Sequence, residues 1–331
     1  MTPLDQPSGS PRYHRIAIVG ANASHRSEAQ IASAARRMGA TAKVFDVLGD
    51  TRRFGSLAAP ILARRIAAFD PDFILCTRHA IRLGARRLRT LVRGRRSAFW
   101  FFDAVEHRGT VELGQICDVM YTTYANQREL WESRGVPEVR FLPQALDPDT
   151  ERPASKLRPA DICEASFVGS GPYPHRWTLL EAVAGACDLQ VRGPGWNIAP
   201  PAIPVRGGRV VGARFAEVVG AAAVSLGAHA VPAQEAELAS ASDRMWKVMG
   251  CGGAYVGPWV PGIEMYAQDR EHCRWFRSPD ECVAIVLDLL GHPDQRRAMA
   301  ARGHAHAMKE HTYDARLALL FDDREMALPS T

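Results

Sequence analysis

The chain has 331 residues, more than one comfortable hydrophobic core, and this length predicts about two domains. Hydrophobic residues make up 47% and charged residues 23%, a balance that excludes collagen-like, coiled-coil and disordered classes. Seven scattered cysteines without a C-x-x-C pair favour neither a disulfide framework nor a zinc site, so a reducing cytoplasm is expected. The net charge is +5, the first residues lack an apolar signal segment, and no stretch approaches the roughly 18 apolar residues of a membrane span.

Apolar runs alternate with helix-like segments throughout the first half of the chain. The strand-like runs cover residues 14–20, 41–47, 72–78, 97–103, 118–124 and 139–143. Strands that alternate with helices predict a parallel, doubly wound sheet covered on both faces. Residues 1–150 are therefore predicted to form a Rossmann-like domain.

A second α/β series follows a segment rich in proline and charge at residues 151–164, which is typical of an interdomain linker. Its predicted strands cover residues 165–170, 188–193, 222–227 and 254–258, with helices at 175–186, 214–220 and 243–250. Residues 165–312 are thus a second Rossmann-like domain, and residues 313–331 are expected to pack back on the first. The predicted fold class is α/β, with two tandem Rossmann-like domains and a cleft between them.

Loops at the carboxyl ends of parallel strands are where such sheets bind ligands. The first loop, residues 20–24, retains only the first glycine of G-x-G-x-x-G, which argues against NAD binding. Asn22 and Ser24 precede a predicted helix, whose N-terminal amides suit an acceptor that is rich in hydroxyls or anionic. An ordinary strand-to-helix turn is an equally good interpretation of this loop.

The second domain carries two further small-residue loops. Ser170 lies in the first, and His175 and Arg176 begin the helix after it, a geometry that suits a diphosphate. Gly193 and Trp196 belong to the second loop, where glycine permits close backbone approach and the indole can pack near a base or sugar. A tight turn with Trp196 in the core is the alternative interpretation.

A helix that begins near Asp243 is followed by two glycines and another strand. This arrangement is predicted to bring Arg244, Lys247 and Glu264 to one rim. Cations there can pair with phosphate, and a glutamate can bind sugar hydroxyls.

These segments, in this order, resemble the C-terminal half of GT-B glycosyltransferases, and specifically the CgeB-like spore-maturation group of bacteria. The similarity spans residues 165–316 and rests on an F-V-G-S loop, an R-x-G-P-G-W turn, a cysteine–glycine helix, a G-I-E segment and a terminal H-T-Y, which stand at residues 167–170, 192–196, 244–253, 262–264 and 311–313.

The resemblance implies transfer of a sugar from a UDP-, GDP- or dTDP-linked donor to a glycan, lipid-linked or small-molecule acceptor. The C-terminal domain would hold the donor and the N-terminal domain the acceptor. Ser170, His175 and Arg176 would meet the diphosphate, Arg244 a phosphate or sugar, and Glu264 hydroxyl groups. The nucleotide sugar is a co-substrate, and no other cofactor is implied. No D-x-D stands in a plausible donor site, so a metal-independent enzyme is expected.

One departure from the resemblance concerns the two glutamates, eight residues apart, of related retaining enzymes. Ala239 occupies the first position and Lys247 the second. Retention or inversion of the anomeric configuration is therefore open, and so is ribose recognition by glutamate. Two alternatives remain, a catalytically inactive nucleotide-sugar binding protein and a nucleotide-sugar epimerase of the same architecture.

Catalysis requires a group that takes the proton of the acceptor hydroxyl. Asp103 ends a predicted apolar strand at the edge of the cleft, with His107 close behind it. We predict Asp103 as the base and His107 as the alternate. A capping role for Asp103 at the following turn has comparable weight.

Residues 80–96 contain seven arginines and no acid. Arg82, Arg86, Arg89 and Arg93 follow helical spacing and predict one basic helix face. Such a face suits peripheral contact with anionic lipid at the inner face of the membrane. A solvated face in an arginine-rich protein is the alternative, and nucleic acid is not expected because no aromatic platform accompanies the arginines.

Overall fold

The computed structural model describes residues 12–103, 105–228 and 241–327. Its first half contains a parallel six-stranded sheet in the order β2-β1-β3-β4-β5-β6. The strands are β1 (Arg15–Gly20), β2 (Thr41–Asp46), β3 (Phe73–Cys76), β4 (Arg96–Phe101), β5 (Val119–Thr122) and β6 (Val139–Phe141). The helices are α1 (Ser27–Arg37), α2 (Val47–Phe54), α3 (Ala58–Phe69), α4 (Ala85–Val92), α5 (Thr110–Ile116) and α6 (Gln127–Ser133).

Both faces of this sheet are covered, which is why its strands read as continuous apolar runs. Ile16 and Ile18 of β1 belong to one hydrophobic cluster, and the alternate residues Ala17 and Val19 belong to another. Side chains alternate between the faces of a strand, so each cluster fills one side of the sheet.

The second half contains another parallel six-stranded sheet, in the order β12-β11-β10-β7-β8-β9. Its strands are β7 (Cys163–Val168), β8 (Leu189–Arg192), β9 (Val205–Gly207), β10 (Ala222–Leu226), β11 (Tyr255–Pro258) and β12 (Arg274–Phe276). Its helices are α7 (Pro174–Ala184), α8 (Ala213–Ala221), α9 (Asp243–Gly250), α10 (Pro279–Gly291), α11 (Pro293–Glu310) and α12 (Tyr313–Phe321). The predicted α/β class with two Rossmann-like sheets is confirmed.

The sequence did not predict β9 and β12, the two edge strands of the second sheet. Each has only three residues, and every residue of β9 is exposed. An exposed three-residue strand leaves no apolar run in the sequence, so only its pairing with a neighbour defines it.

Helix α12 returns to the first domain and packs against α1. Leu317 and Leu320 join the hydrophobic cluster that contains Ile16 and Ile18. The backbone is tied there as well, because the Tyr313 amide donates to the Leu146 carbonyl at 2.8 Å. Strand β7 begins at Cys163, inside the segment predicted as linker.

The basic segment 80–96 is not the single helix that the spacing predicts. A 3-10 turn, Arg78–Leu83, ends at Gly84, whose φ of +82° breaks the helical path before α4 begins. Arg82 therefore lies before α4 and Arg93 after it, so the predicted four-arginine helix face is wrong. No described helix has both the length and the apolar character needed to cross a membrane.

Candidate functional site

A cavity of about 350 Å³, called here the main cavity, opens between the two domains. The first domain lines it with residues that follow β1, β3 and β4, at 25–28, 77–79 and 102–103, and with Gln144. The second domain contributes Arg209, Asp243 and Lys247. Carboxyl ends of parallel strands therefore form one wall, as expected for a ligand site in this kind of sheet.

Glu28 holds the loops after β1 and β3 together. Its carboxylate is buried and accepts hydrogen bonds from the Thr77 hydroxyl at 2.9 Å and the Ala21 amide at 3.2 Å. Gly20 makes this approach possible, because a Cβ atom there would overlap the Thr77 hydroxyl and lie 2.8 Å from Glu28 Cγ. Arg26, the N-cap residue of α1, makes no side-chain capping bond, so its side chain does not cover that end of the helix.

The predicted catalytic residues Asp103 and His107 lie together, with Oδ2 of Asp103 at 3.4 Å from Nε2 of His107. Arg78 joins them, with Nη1 at 3.0 Å from Asp103 Oδ2 and 2.8 Å from His107 Nε2. Asp103 lines the main cavity, whereas His107 does not. A carboxylate at the cavity wall held by a guanidinium can accept a proton or position a hydroxyl.

Two imidazoles, those of His25 and His79, also line the main cavity. Burial lowers the pKa of His25, and Arg209, Arg26 and Lys247 lower it further. Burial likewise lowers the pKa of His79, beside Arg78. Both shifts favour the neutral imidazole, which can donate one hydrogen bond and accept another.

A smaller cavity of about 150 Å³, called the side cavity, adjoins the main one and shares His25, Asp243 and Lys247 with it. Nζ of Lys247 lies 2.7 Å from Asp243 Oδ2, one turn earlier on α9. Burial alone would lower the pKa of Lys247, but Asp243 and the neighbouring Tyr313 and Glu151 raise it overall. Lys247 is consequently a fixed positive charge in the wall between the cavities.

Glu151 lines the side cavity from the segment between the domains. Burial raises the pKa of its carboxyl, and Lys247 partly offsets that effect. Gln30 of α1 donates to its Oε1 at 2.6 Å, so the carboxylate connects the first domain to the charges on α9.

Arg244 is the second residue of α9 and lines the side cavity. Its Nε donates to the Val168 carbonyl at 2.6 Å and its Nη1 to the Ala228 carbonyl at 3.2 Å, while the guanidinium lies over the Phe167 ring. Its Nη2 has no hydrogen-bond partner within residues 12–103, 105–228 and 241–327. The guanidinium is thus held by carbonyl groups at the end of β7 and just after β10, and Nη2 is the donor group that these contacts do not use.

The other predicted donor contacts lie outside both cavities. Arg176 is buried, and its Nη1 donates to the Ser170 carbonyl at 2.7 Å. Burial, then the nearby Arg244, lowers its pKa to about 9. Arg176 therefore stabilises the loop that carries Ser170 through this backbone contact. Ser170 itself is half-buried, and His175 is exposed.

Trp196 is a core residue, as the alternative interpretation proposed. Its Nε1 donates to the Gly169 carbonyl at 2.9 Å and its ring meets Phe167 edge-on. Gly193 has a φ of +143°, and a Cβ atom there would overlap the Gly169 carbonyl oxygen. These two residues support the loop that carries Ser170 and line neither cavity.

Three further predicted residues are also placed away from the cavities. Glu264 is exposed on the 3-10 turn Ile263–Met265 and does not join Arg244 and Lys247 at one rim, which corrects that prediction. Asn22 and Ser24 are exposed next to His25. Ala239 lies outside the described residues.

Sequence reasoning missed most residues of the main cavity. His25 and Arg26 lie directly beyond the loop that was singled out; Arg78 ends the strand predicted at residues 72–78, and His79 follows it. Their positions after strands were the available signal. The sequence gives no such signal for Arg209, because this residue lies in an irregular segment after β9, which the sequence did not predict.

Two six-stranded parallel sheets with an interdomain cleft define a GT-B-type architecture. Residues 176–322 match a family model described as "Glycosyl transferase-like". The C-terminal half of the chain therefore carries a glycosyl transferase-like domain. No curated protein matches the chain.

Solved structures of the same architecture cover nearly the whole chain. The Anabaena protein Alr3699/HepE, solved with UDP and glucose, has a TM-score of 0.65 at 12% identity, covering 94% of this chain and 99% of its own. Sucrose-phosphate synthase from Thermosynechococcus elongatus has a TM-score of 0.65 at 12% sequence identity, and the match covers 94% of this chain and 98% of that chain. An alpha-glucosyltransferase (AGT) solved with UDP has a TM-score of 0.69 at 10% sequence identity, and the match covers 93% of this chain and 99% of that chain. At these identities the likeness establishes the fold.

Proposed function

We propose that this protein transfers a sugar from a nucleotide-diphosphate donor to an acceptor hydroxyl in the cleft. The observation that carries the proposal is the pair Arg244 and Lys247, one turn apart on α9 in the side-cavity wall, within the glycosyl transferase-like domain. The Arg244 guanidinium suits a diphosphate, which has to be held and then released as an anion, and Lys247 neutralises the neighbouring Asp243 that would repel it.

UDP is the first donor nucleotide to test, since HepE and AGT were solved with UDP, and GDP and dTDP follow. In the proposed step the acceptor oxygen forms a bond to the anomeric carbon, and the bond from that carbon to the diphosphate oxygen breaks. The electron pair leaves with the diphosphate, whose new charge faces Arg244 and Lys247. Retention and inversion both remain open.

The proton of the acceptor hydroxyl would go to Asp103, with His107 as the alternate acceptor. Asp103 is supported by its position in the main-cavity wall, and Arg78 would hold the carboxylate in place. We assign Arg176, Gly193 and Trp196 to support of the donor loop. Ser170, His175 and Glu264 as donor contacts, and Asn22 and Ser24 as acceptor contacts, rest on the sequence motifs alone.

Three finer assignments belong to the same proposal. The CgeB-like subtype rests on the five segments between residues 167 and 313. Metal independence stays a prediction, which rests on the lack of a D-x-D motif in a plausible donor segment of the sequence. The family match favours transfer over epimerisation.

Peripheral membrane contact is a separate proposal on the first domain. Arg82, Arg86, Arg89 and Arg93 are all exposed although they do not share one helix. Co-sedimentation with vesicles of phosphatidylglycerol, compared with phosphatidylcholine alone, tests it. Equal recovery with both lipids would contradict it.

The decisive experiment is calorimetric titration with UDP, GDP, dTDP and their sugar conjugates, with donor hydrolysis followed in parallel. We expect one nucleotide to bind selectively and Arg244→Ala to weaken it by about tenfold or more. Arg297→Ala, at an exposed arginine on α11, is the matched control. Absence of binding by any nucleotide would refute the donor site, and binding without hydrolysis would require a search for the acceptor.

A further inference from the structure

The main cavity contains two arginines, one from each domain, that have no ion-pair partner in the part of the chain that the structure describes. Arg26 follows β1 and Arg209 lies between β9 and α8. The cavity's other two cations are already paired, Arg78 with Asp103 and Lys247 with Asp243. Neither Arg26 nor Arg209 has a side-chain hydrogen bond or ion pair with any residue that the structure describes.

The remaining carboxylate of the cavity does not compensate both arginines. Glu28 is 4% exposed, and its Oε1 is occupied by the Thr77 hydroxyl and the Ala21 amide. The imidazoles of His25 and His79 line the same cavity and can add hydrogen bonds to a ligand. Two guanidiniums without an ion-pair partner among the described residues, together with two imidazoles in the same cavity, form a set that suits an oxyanion.

The donor diphosphate does not account for this set. In the proposed function the diphosphate faces Arg244, which lines only the side cavity, whereas Arg26 and Arg209 line only the main cavity. The main cavity, at about 350 Å³, has a volume in the range of small-molecule sites. A second anion, separate from the donor, therefore fits there.

We infer that the acceptor is itself anionic, a sugar-like molecule whose phosphate or carboxylate group is held between Arg26 and Arg209. This inference rests on the proposed function, because it assigns the second wall of the cleft to the acceptor. Asp103, the proposed proton acceptor, lines the same cavity, so an acceptor held by these two arginines would lie in the same space as that carboxylate.

The test uses the full chain saturated with the nucleotide diphosphate that binds it best. Glucose 6-phosphate, glucuronate and uncharged glucose are then titrated in separate calorimetric experiments. We expect one of the two anionic sugars to bind and glucose not to, which also distinguishes phosphate from carboxylate. Arg26→Ala and Arg209→Ala should each weaken the anionic sugar about tenfold and leave nucleotide affinity within about twofold.

Arg86→Ala, at an exposed arginine on α4 outside both cavities, is the matched control and should change neither affinity. Nucleotide binding without binding of either anionic sugar overturns this inference and leaves the proposed function intact. Loss of nucleotide binding in Arg26→Ala or Arg209→Ala also overturns it, because these cations would then serve the donor. Failure of the unmodified protein to bind any nucleotide overturns the proposed function itself.

Discussion

Lys247 and Asp243 form an ion pair across one turn of α9, with Nζ 2.7 Å from Oδ2, in the wall that separates the two cavities. Lys247 occupies the position where the resemblance places a glutamate. A glutamate there would face Asp243 and the buried Glu151 with like charge. The cleft therefore balances these two acids with the positive charge of Lys247.

Replacement of Lys247 by methionine should reduce both stability and nucleotide affinity. It leaves Asp243 and Glu151 without their shared cation, and we expect a loss of about 2 kcal/mol in the free energy of unfolding, measured by urea denaturation. Lys309→Met is the control, because Lys309 is exposed and its ion pair with Glu310 contributes little. Equal free energies of unfolding in the two variants would show that the ion pair of Lys247 with Asp243 contributes little to stability.

His311 makes the protein sensitive to mild acid. It is buried, accepts a hydrogen bond from Arg316 Nη2 at 2.8 Å on Nδ1, and its Nε2 lies 3.0 Å from the Tyr266 carbonyl. Burial, then Arg316, holds its pKa well below the ordinary 6.5. As the pH falls through about 6.5, this histidine becomes protonated in the unfolded chain but stays neutral in the folded protein. The free energy of unfolding is therefore highest above that pH and decreases below it.

Between pH 7 and pH 5, His311 should lower the free energy of unfolding by up to about 2 kcal/mol. His311→Gln should be less stable than the unmodified protein at pH 7 and should show a smaller further loss at pH 5. His292→Gln, at an exposed histidine, serves as the control. Identical pH slopes in denaturant titrations of His311→Gln and the unmodified protein would contradict the assignment.

Gly193→Ala should disrupt the donor loop. The new Cβ would overlap the Gly169 carbonyl, at a φ of +143° that side chains rarely adopt, and a loss of about 3 kcal/mol or more is expected. Gly208→Ala is the matched control, since a Cβ there meets nothing within 4 Å. Thermal and urea unfolding of both variants measure the difference, and a mild effect at Gly193 would mean that the loop can shift.

Asp103→Asn tests the proposed proton acceptor. Turnover with donor and acceptor should fall by about 10²-fold or more, while nucleotide affinity stays unchanged because the side chain belongs to the acceptor wall. Asp280→Asn, at the exposed start of α10, is the control. Unchanged turnover in Asp103→Asn would remove Asp103 from the mechanism and direct attention to His107.

The fold was predictable because parallel strands buried on both faces are continuous apolar runs. Strands β1 to β6 each lie within a few residues of their predicted bounds. The same local reasoning failed at residues 80–96, where arginine spacing indicated one helix and Gly84 divides it. It failed again at β9 and β12, which exist through pairing with their neighbours.

The candidate site was predictable only where a chemical group follows a strand or begins a helix. The sequence alone placed Asp103 at the end of an apolar run and Arg244 and Lys247 on one helix, because those relationships are local. Only tertiary structure brought Arg26 and Arg209 to one cavity, buried Trp196 and Arg176 beneath the loop, and left Glu264 outside. Contacts between residues nearly two hundred positions apart depend on how the two domains pack, and that packing leaves no local pattern in the chain.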